Sequence, residues 1–426
     1  MIHIVYAKMG SGKSSAIINR INKSGGDVRY LYVTPYLKEV ERIINSCPAK
    51  NFKQPFNGGE KFEYGKLRGL KILLGQKQNV VTTHALFRYF DEEVIDLIYN
   101  GNYILVLDEV VDVILPYLKE NARSKNPGIT RSDLDDLLKF HTGVDEKAGL
   151  IKWTDMDYDG NLNEYKILCD LNSLALYGSG KCPLWLFPIK IFKAFRDSFI
   201  LTYMFNAQIQ RYYFDMYGVE YDYWGVVKDN DNYELSETVT VENNIDYRKL
   251  IHICDKEKLN RIGGRETDLS KSWYIRNKNN PIMKQLKNNT YNFFKHMCRG
   301  KSSDNIWTTF KSCRKEIQGK GYTRGFVFCN MRATNEYRDR TCVAYLMNRY
   351  MNPVVKNFFL HNGIAVDEDG YALSEMLQFI WRSAIRDGKE IWVYIPSIRM
   401  RNLLKQWIDE NSPKIIEKTG NIIIEG

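Results

Sequence analysis

The residues whose types and spacing could do chemistry begin close to the start of the chain. Ala7-Lys8-Met9-Gly10-Ser11-Gly12-Lys13-Ser14 follows a short apolar strand, Ile2–Tyr6, and precedes a helix that starts at about Ser15. The string fits the phosphate-binding pattern G-x-x-x-x-G-K-S/T, except that Ala7 stands where the first glycine usually is. Glycines let main-chain N–H groups approach phosphate oxygens, and a helix N-terminus adds partial positive charge. Gly10, Ser11, Gly12, Lys13, Ser14 and Ser15 would thus cradle the phosphates of ATP. Lys13 would reach the β- and γ-phosphates and the Ser14 hydroxyl would ligate Mg2+. The competing reading is a plain strand-to-helix turn.

A second group completes that chemistry. Tyr103-Ile104-Leu105-Val106-Leu107 is a continuous apolar run, suited to a strand buried on both faces, and it ends in Asp108-Glu109. Asp108 would hold Mg2+, and Glu109 would orient and deprotonate an attacking water. An acidic pair complementing a helix N-terminus is the alternative. A third group lies far along the chain. Gln378, Arg382 and Arg386 are spaced four apart in a stretch with helical apolar spacing, so the sequence predicts them along one helix face, closed by Asp387-Gly388. Arginines in line on a largely apolar helix call for an anionic partner, and a γ-phosphate would supply it.

Strands and helices must position these groups. Tyr30–Val33 and Asn79–His84 read as further strands, each followed by a helical pattern, and Phe199–Phe205 as another buried strand. Such alternation predicts an α/β fold with parallel sheets. Asn206 to Leu250 is Tyr-rich and polar, so a domain boundary is expected at 206–212, with domains 1–206 and 207–426 and an insertion over about 112–185. Residues 283–320 read as mostly helical and Gly325–Asn330 as a strand. His84 reads as a loop or cap residue. Asp155-x-Asp157-x-Asp159-Gly160 mimics the start of a calcium loop, but Lys166 stands at its twelfth position, so a hairpin turn before Tyr165–Leu168 is the better reading. Gly178-Ser179-Gly180-Lys181 is followed by Cys182-Pro183 and cannot open a helix, so it reads as a loop.

Composition narrows the class. The 426 residues carry 61 Lys+Arg against 51 Asp+Glu, with 44% hydrophobic and 26% charged residues, as in globular proteins of two or three domains. The excess charge is uneven: residues 281–350 hold 14 basic and 4 acidic side chains, interleaved with Tyr291, Phe293, Phe294, Trp307, Phe310, Tyr322 and Phe326. Basic side chains neutralise phosphates and aromatic faces stack on bases, although a solvated face over core aromatics has the same composition. The eight cysteines include no C-x-x-C pair, which argues against a zinc site or a disulfide framework and for reduced core thiols. No apolar run is long enough for a membrane span, and no signal-peptide pattern is present, so an intracellular, cytoplasmic protein is expected.

With the loop, the Asp-Glu strand and the Gln/Arg segment in this order, the chain resembles superfamily 2 helicases, and more closely the compact DEAD/DEAH-like helicases of phage replication modules. The resemblance implies two RecA-like (P-loop NTPase) domains with ATP and Mg2+ bound between them. It implies that Gln378, Arg382 and Arg386 act on the nucleotide from the second domain, with Arg382 the better-placed arginine finger because the family spaces its arginines by three. It also implies that Thr34, Pro35, Thr82, Thr83 and Thr334 face a nucleic-acid backbone, DNA rather than RNA, with replication proteins as partners. The sequence departs from the family in having Val110-Val111 after Asp-Glu, no room for a Q motif before Ile2, and a long interval from Asp108 to Thr202. Two other functions compete. A DNA-packaging terminase would need a nuclease carboxylate cluster, for which Val366-Asp367-Glu368-Asp369, read as a loop, is the one dense group in the second half. A nucleotide-gated nucleic-acid clamp would bind ATP with little turnover.

Overall fold

A computed structural model describes the chain except for residues 57–61, 120–126, 146–148, 159, 179–181, 231, 240–243, 300, 330–335, 419–420 and 426. The chain is mixed α/β with parallel sheets, the class expected of RecA-like domains, and it divides into two units. The first comprises Met1–Tyr6, Lys13–Val239 and Asn352–Val366; the second comprises Ala7–Gly12, Thr240–Met351 and Asp367–Gly426.

In the first unit, β1 (Ile2–Tyr6), β2 (Tyr30–Thr34), β3 (Val80–Thr83) and β4 (Ile104–Asp108) come first in the chain. Residues between β4 and the next strand of the main sheet form small sheets of their own within the first unit. It contains β5 (Ile114–Pro116), β6 (Thr142–Val144), β7 (Ile151–Trp153), β8 (Leu174–Tyr177) and β9 (Cys182–Leu186). β5, β9 and β8 form one antiparallel sheet, and β6 and β7 form a ribbon. The chain then returns through β10 (Asp197–Thr202), β11 (Tyr221–Asp229) and β12 (Asn232–Ser236). The main sheet runs β12-β11-β1-β10-β4-β2-β3, parallel except for the β11–β12 hairpin. β1, β10, β4 and β2 are all but continuously apolar because helices cover both faces of a parallel sheet. Ile17 and Ile21 of the helix Lys13–Lys23 and Val40 and Ile43 of the helix Leu37–Ser46 pack on Val5, Tyr32, Val106 and Leu201.

The boundary differs from the expected one at 206–212. Tyr221–Trp224 of β11 pairs in parallel with Ile2–Val5 of β1, so the Tyr-rich stretch completes the first sheet and the unit runs on to Val239. Tyrosines there read as polar surface in the sequence, whereas Tyr212 and Tyr213 are core. The segment Tyr165–Leu168, expected as a strand, lies in the helix Asn163–Asp170, and Asp159 falls outside the described residues. Gly178 has φ +68°, while 179–181 are likewise outside them.

The second unit holds β13 (Ile251–Ile253), β14 (Asn305–Thr308), β15 (Cys342–Tyr345) and β16 (Ile391–Tyr394) in the parallel order β13-β16-β15-β14, followed by the C-terminal hairpin β17 (Lys414–Lys418) and β18 (Asn421–Glu425). The sequence placed a strand at Gly325–Asn330 and helix over 283–320. Instead, β14 is the edge strand of the sheet, and Phe326 makes a single bridge to Trp307. Only four residues long and flanked by Asp304 and Lys311, β14 carries too little pattern to declare itself. All eight cysteines are free thiols, and five are buried. Among the described residues no helix is long and apolar enough to cross a membrane.

Candidate active site

The predicted phosphate loop leaves β1 as expected. Gly10 has φ +85° and Gly12 φ +81°, the left-handed region where a side chain costs roughly 1–2 kcal/mol. Lys13, not Ser15, is the first residue of the following helix, and no acidic side chain sits in that helix's first turn. Its N-terminus therefore keeps its positive end for an anion.

Asp108 ends β4 and is buried, with 8% exposure. Burial, then the charge of Glu109, pushes its carboxyl up from the ordinary 3.8 to about 7, against the opposing pull of Arg42 and Lys13. Arg42 Nε is held at 2.6 Å by Glu39, and the Tyr32 hydroxyl donates toward Asp108 at 3.5 Å. His84 Nε2 donates to the Asp108 carbonyl at 2.9 Å, so its ring joins the end of β3 to the end of β4. Glu109 adopts φ +69°, unusual for a side-chain-bearing residue, and its N–H donates to the Leu201 carbonyl at 3.0 Å. Strained residues of this kind cluster where function needs a fixed geometry.

Four buried polar atoms here find no hydrogen-bond partner among the described residues: Glu109 Oε2, Thr34 Oγ1, Thr202 Oγ1 and Gln210 Nε2. Thr34 ends β2 and Thr202 ends β10, the strands on either side of β4. Gln210 uses its Oε1 to accept the Val111 N–H at 2.9 Å, which pins the backbone just past Glu109. Buried polar groups are rarely left unpaired, so this concentration at the carboxyl edge of one sheet points to polar ligand atoms or water. Of the expected cation ligands, Asp108 has a carboxyl on which burial favours a proton that a divalent cation would displace; among the described residues no group of three or more His, Cys, Asp or Glu side chains gathers as a metal site. Sequence reasoning did not pick out Tyr32, Glu39, Arg42 or Gln210. Gln210 leaves a trace, a polar residue in the aromatic helix Ile209–Met216; the other three leave none.

The pKa shift at Asp108 carries a prediction. Its folded value lies above its unfolded value, so the contribution to stability is complete below about pH 4 and is lost as pH rises through about 7. In the protein without nucleotide or metal, Asp108→Asn removes that loss. The variant should unfold above wild type at pH 8 by at least about 2–4 °C, the shift given by roughly 1 kcal/mol in a domain of 150–250 residues, with the gap closing at pH 4. Identical pH profiles by calorimetry would refute the strained-carboxylate picture.

The remaining predicted residues scatter. The Thr34 and Thr82 side chains are buried at 0% and 3% exposure, whereas Pro35 and Thr83 are partly exposed. Thr334 lies outside the described residues. In the second unit, the expected Gln378–Arg382–Arg386 helix face does not form. The helix Glu368–Ile380 stops before Arg382: the Arg382 and Ser383 N–H groups tighten onto the Phe379 and Ile380 carbonyls, Ser383 turns extended, and Arg386 falls on the 3-10 turn Ala384–Asp387. Arg382 is buried and donates to the Phe328 and Cys329 carbonyls at 3.0 and 2.8 Å, while Arg386 is exposed. Residues 367–369 are not a loop. Asp367 caps the helix by accepting the Gly370 N–H, Glu368 accepts the Met351 N–H, and Asp369 pairs with Arg399.

The solved structure of S. tokodaii Xpd4 is similar at a TM-score of 0.45 and 11% identity, covering 95% of this chain and 94% of that one. Residues 245–408 match the family described as YonV C-terminal Rossmann-like domain. The SPbeta prophage-derived uncharacterized protein YonV of Bacillus subtilis (strain 168) is 39% identical over 419 residues, covering 96% of this chain and 98% of its own. Identity at that level, held over nearly the whole length of both proteins, means that the chain belongs to the YonV family.

Proposed function

We propose that this protein is an ATP- and Mg2+-dependent nucleic-acid helicase or translocase of the superfamily 2 type, acting on DNA. The observation that carries the reading is the carboxyl edge of β10, β4 and β2. There Glu109 at φ +69° and a buried Asp108, whose carboxyl is pushed up to about 7, lie in the unit that presents Lys13 and Ser14 at a helix N-terminus. Ser14 and Asp108 would hold Mg2+, which supplies charge neutralisation at the β- and γ-phosphates when bound. Lys13 and the N–H groups of residues 10–15 bind the phosphates. Glu109 orients the attacking water and takes its proton, and the Glu109 N–H bond to Leu201 fixes its direction. Arg386, which is exposed, would serve as the arginine finger, whereas Arg382 holds the Phe328 and Cys329 carbonyls.

Nucleic acid would be followed along its backbone, without sequence readout, by Pro35 and Thr83 and by the stretch holding Thr334. The relative's prophage origin supports a phage role and therefore DNA. The terminase reading loses its carboxylate cluster, since Asp367, Glu368 and Asp369 are spent on capping and pairing. The test is strand release from tailed DNA and RNA duplexes. ATP-dependent release is expected from tailed DNA; turnover of ATP with no release and no movement along a strand would leave the gated clamp as the surviving reading.

A further inference from the structure

The helix Pro281–Asn292 of the second unit packs Met283 and Leu286 into the core, together with Phe293 and Phe294 of the π-turn Phe293–Met297 that follows. Its other side carries Lys284, Lys287, Tyr291 and Lys295, spaced three, four and four apart, which sets them in one stripe. Lys295 Nζ lies 5.5 Å from the centre of the Tyr291 ring. The tight loop at Gly321, with φ +87°, comes against the same ring: a Cβ on Gly321 would sit 3.7 Å from it. That loop brings exposed Lys320 and Arg324 to the stripe, and the Tyr322 hydroxyl, which reaches the Ile317 carbonyl at 2.6 Å, fixes its place. Lys284, Lys295, Lys320 and Arg324 are exposed, and Tyr291 and Lys287 are partly so.

A few surface lysines pair with carboxylates, as Lys23 does with Glu234, Lys71 with Asp91 and Lys405 with Asp255. Among the described residues none of Lys284, Lys287, Lys295 or Lys320 is paired with a carboxylate, although Glu316 lies nearby and is bound to Lys278. Five like charges on one stretch of surface repel one another, and the Tyr291 ring beside them is part-exposed, packed in part against the core, with Lys295 Nζ over it. A flexible polyanion with stackable rings answers both features: its phosphates meet the cations and a base covers the tyrosine.

We propose that the Lys284–Lys287–Tyr291–Lys295 stripe, with Lys320 and Arg324, is a binding surface for single-stranded nucleic acid. It lies in the second unit, whereas Pro35 and Thr83 belong to the first. The inference rests on the nucleic-acid part of the proposed function and adds the place where the strand is held. Phosphates lie along the lysines and a base stacks on Tyr291. Duplex fits less well, because its bases are not free to stack.

The test is equilibrium binding of fluorescein-labelled dT and rU oligonucleotides to full-length protein, measured by anisotropy from low to moderate salt. Lys284→Glu/Lys287→Glu/Lys295→Glu should weaken binding at least tenfold. It should also make the slope of log affinity against log salt less negative by about 2, the value for three lost phosphate contacts on a single strand. Tyr291→Ala should weaken binding by roughly fivefold to a hundredfold with the slope unchanged. A Gln version of the triple variant, checked by circular dichroism and unfolding temperature, covers misfolding of the Glu version. Wild-type affinity and slope in folded variants would overturn the surface. Failure of the wild type to bind any oligonucleotide would instead overturn the nucleic-acid reading itself, and ATP turnover measured on the same sample reports separately on the nucleotide site.

Discussion

Glu109→Gln should lower ATP turnover by roughly 10²–10⁴-fold, the usual worth of a general base. The substitution keeps size and shape and removes only the charge and the ability to take a proton. The backbone at φ +69° is held by the Leu201 carbonyl from one side and, two residues on, by Gln210 from the other. The side chain therefore stays where it is, and the loss falls on kcat, with ATP affinity retained. A second effect follows in the protein without ligand. Glu109 is the second cause of the raised Asp108 carboxyl, so its neutralisation lets that carboxyl fall and the apo protein gains stability at neutral pH. Turnover within about threefold of wild type would remove Glu109 from the chemistry, since a lost general base costs far more.

Lys13→Ala should cost both binding and turnover. Lys13 opens its helix directly after Gly12, and its charge is already felt by Asp108 at the other side of the site. Losing a preorganised cation aimed at developing phosphate charge typically costs about 10²–10³-fold in kcat. The same deletion takes away a direct contact to the β- and γ-phosphates, so a fluorescent ATP analogue should bind at least about tenfold more weakly. Asp108 also loses one of its two cationic neighbours, and its carboxyl should rise further. Unchanged analogue binding would mean that the loop at residues 7–14 is only a turn between strand and helix.

Much of the first unit could be read from the sequence, because the strands that carry it are largely apolar and end in chemically distinctive residues. β1, β2, β3 and β4 and the Gly10–Ser14 loop all fall within a residue or two of expectation. What escaped was set by tertiary contacts. β11 is rich in Tyr, Asp and Trp, and only its pairing with β1 shows that it belongs to the first sheet. β14 is too short to carry a pattern. The row of Gln378, Arg382 and Arg386 assumed a helix that continues, whereas the main chain tightens to 3-10 bonding and turns extended at Ser383. The candidate site was half visible. Asp108 and Glu109 announce themselves by type and position, whereas Arg42, Tyr32 and Gln210 reach Asp108 or its loop from segments whose local pattern gives no sign of it.

The most direct measurement of the central claim is Mg2+-dependent ATP turnover by the purified protein, alone and with single-stranded DNA, duplex DNA and RNA, beside the Lys13→Ala and Glu109→Gln variants. The account predicts basal turnover that single-stranded DNA raises most and that both variants abolish. Turnover indifferent to every nucleic acid, or unchanged in both variants, would contradict it.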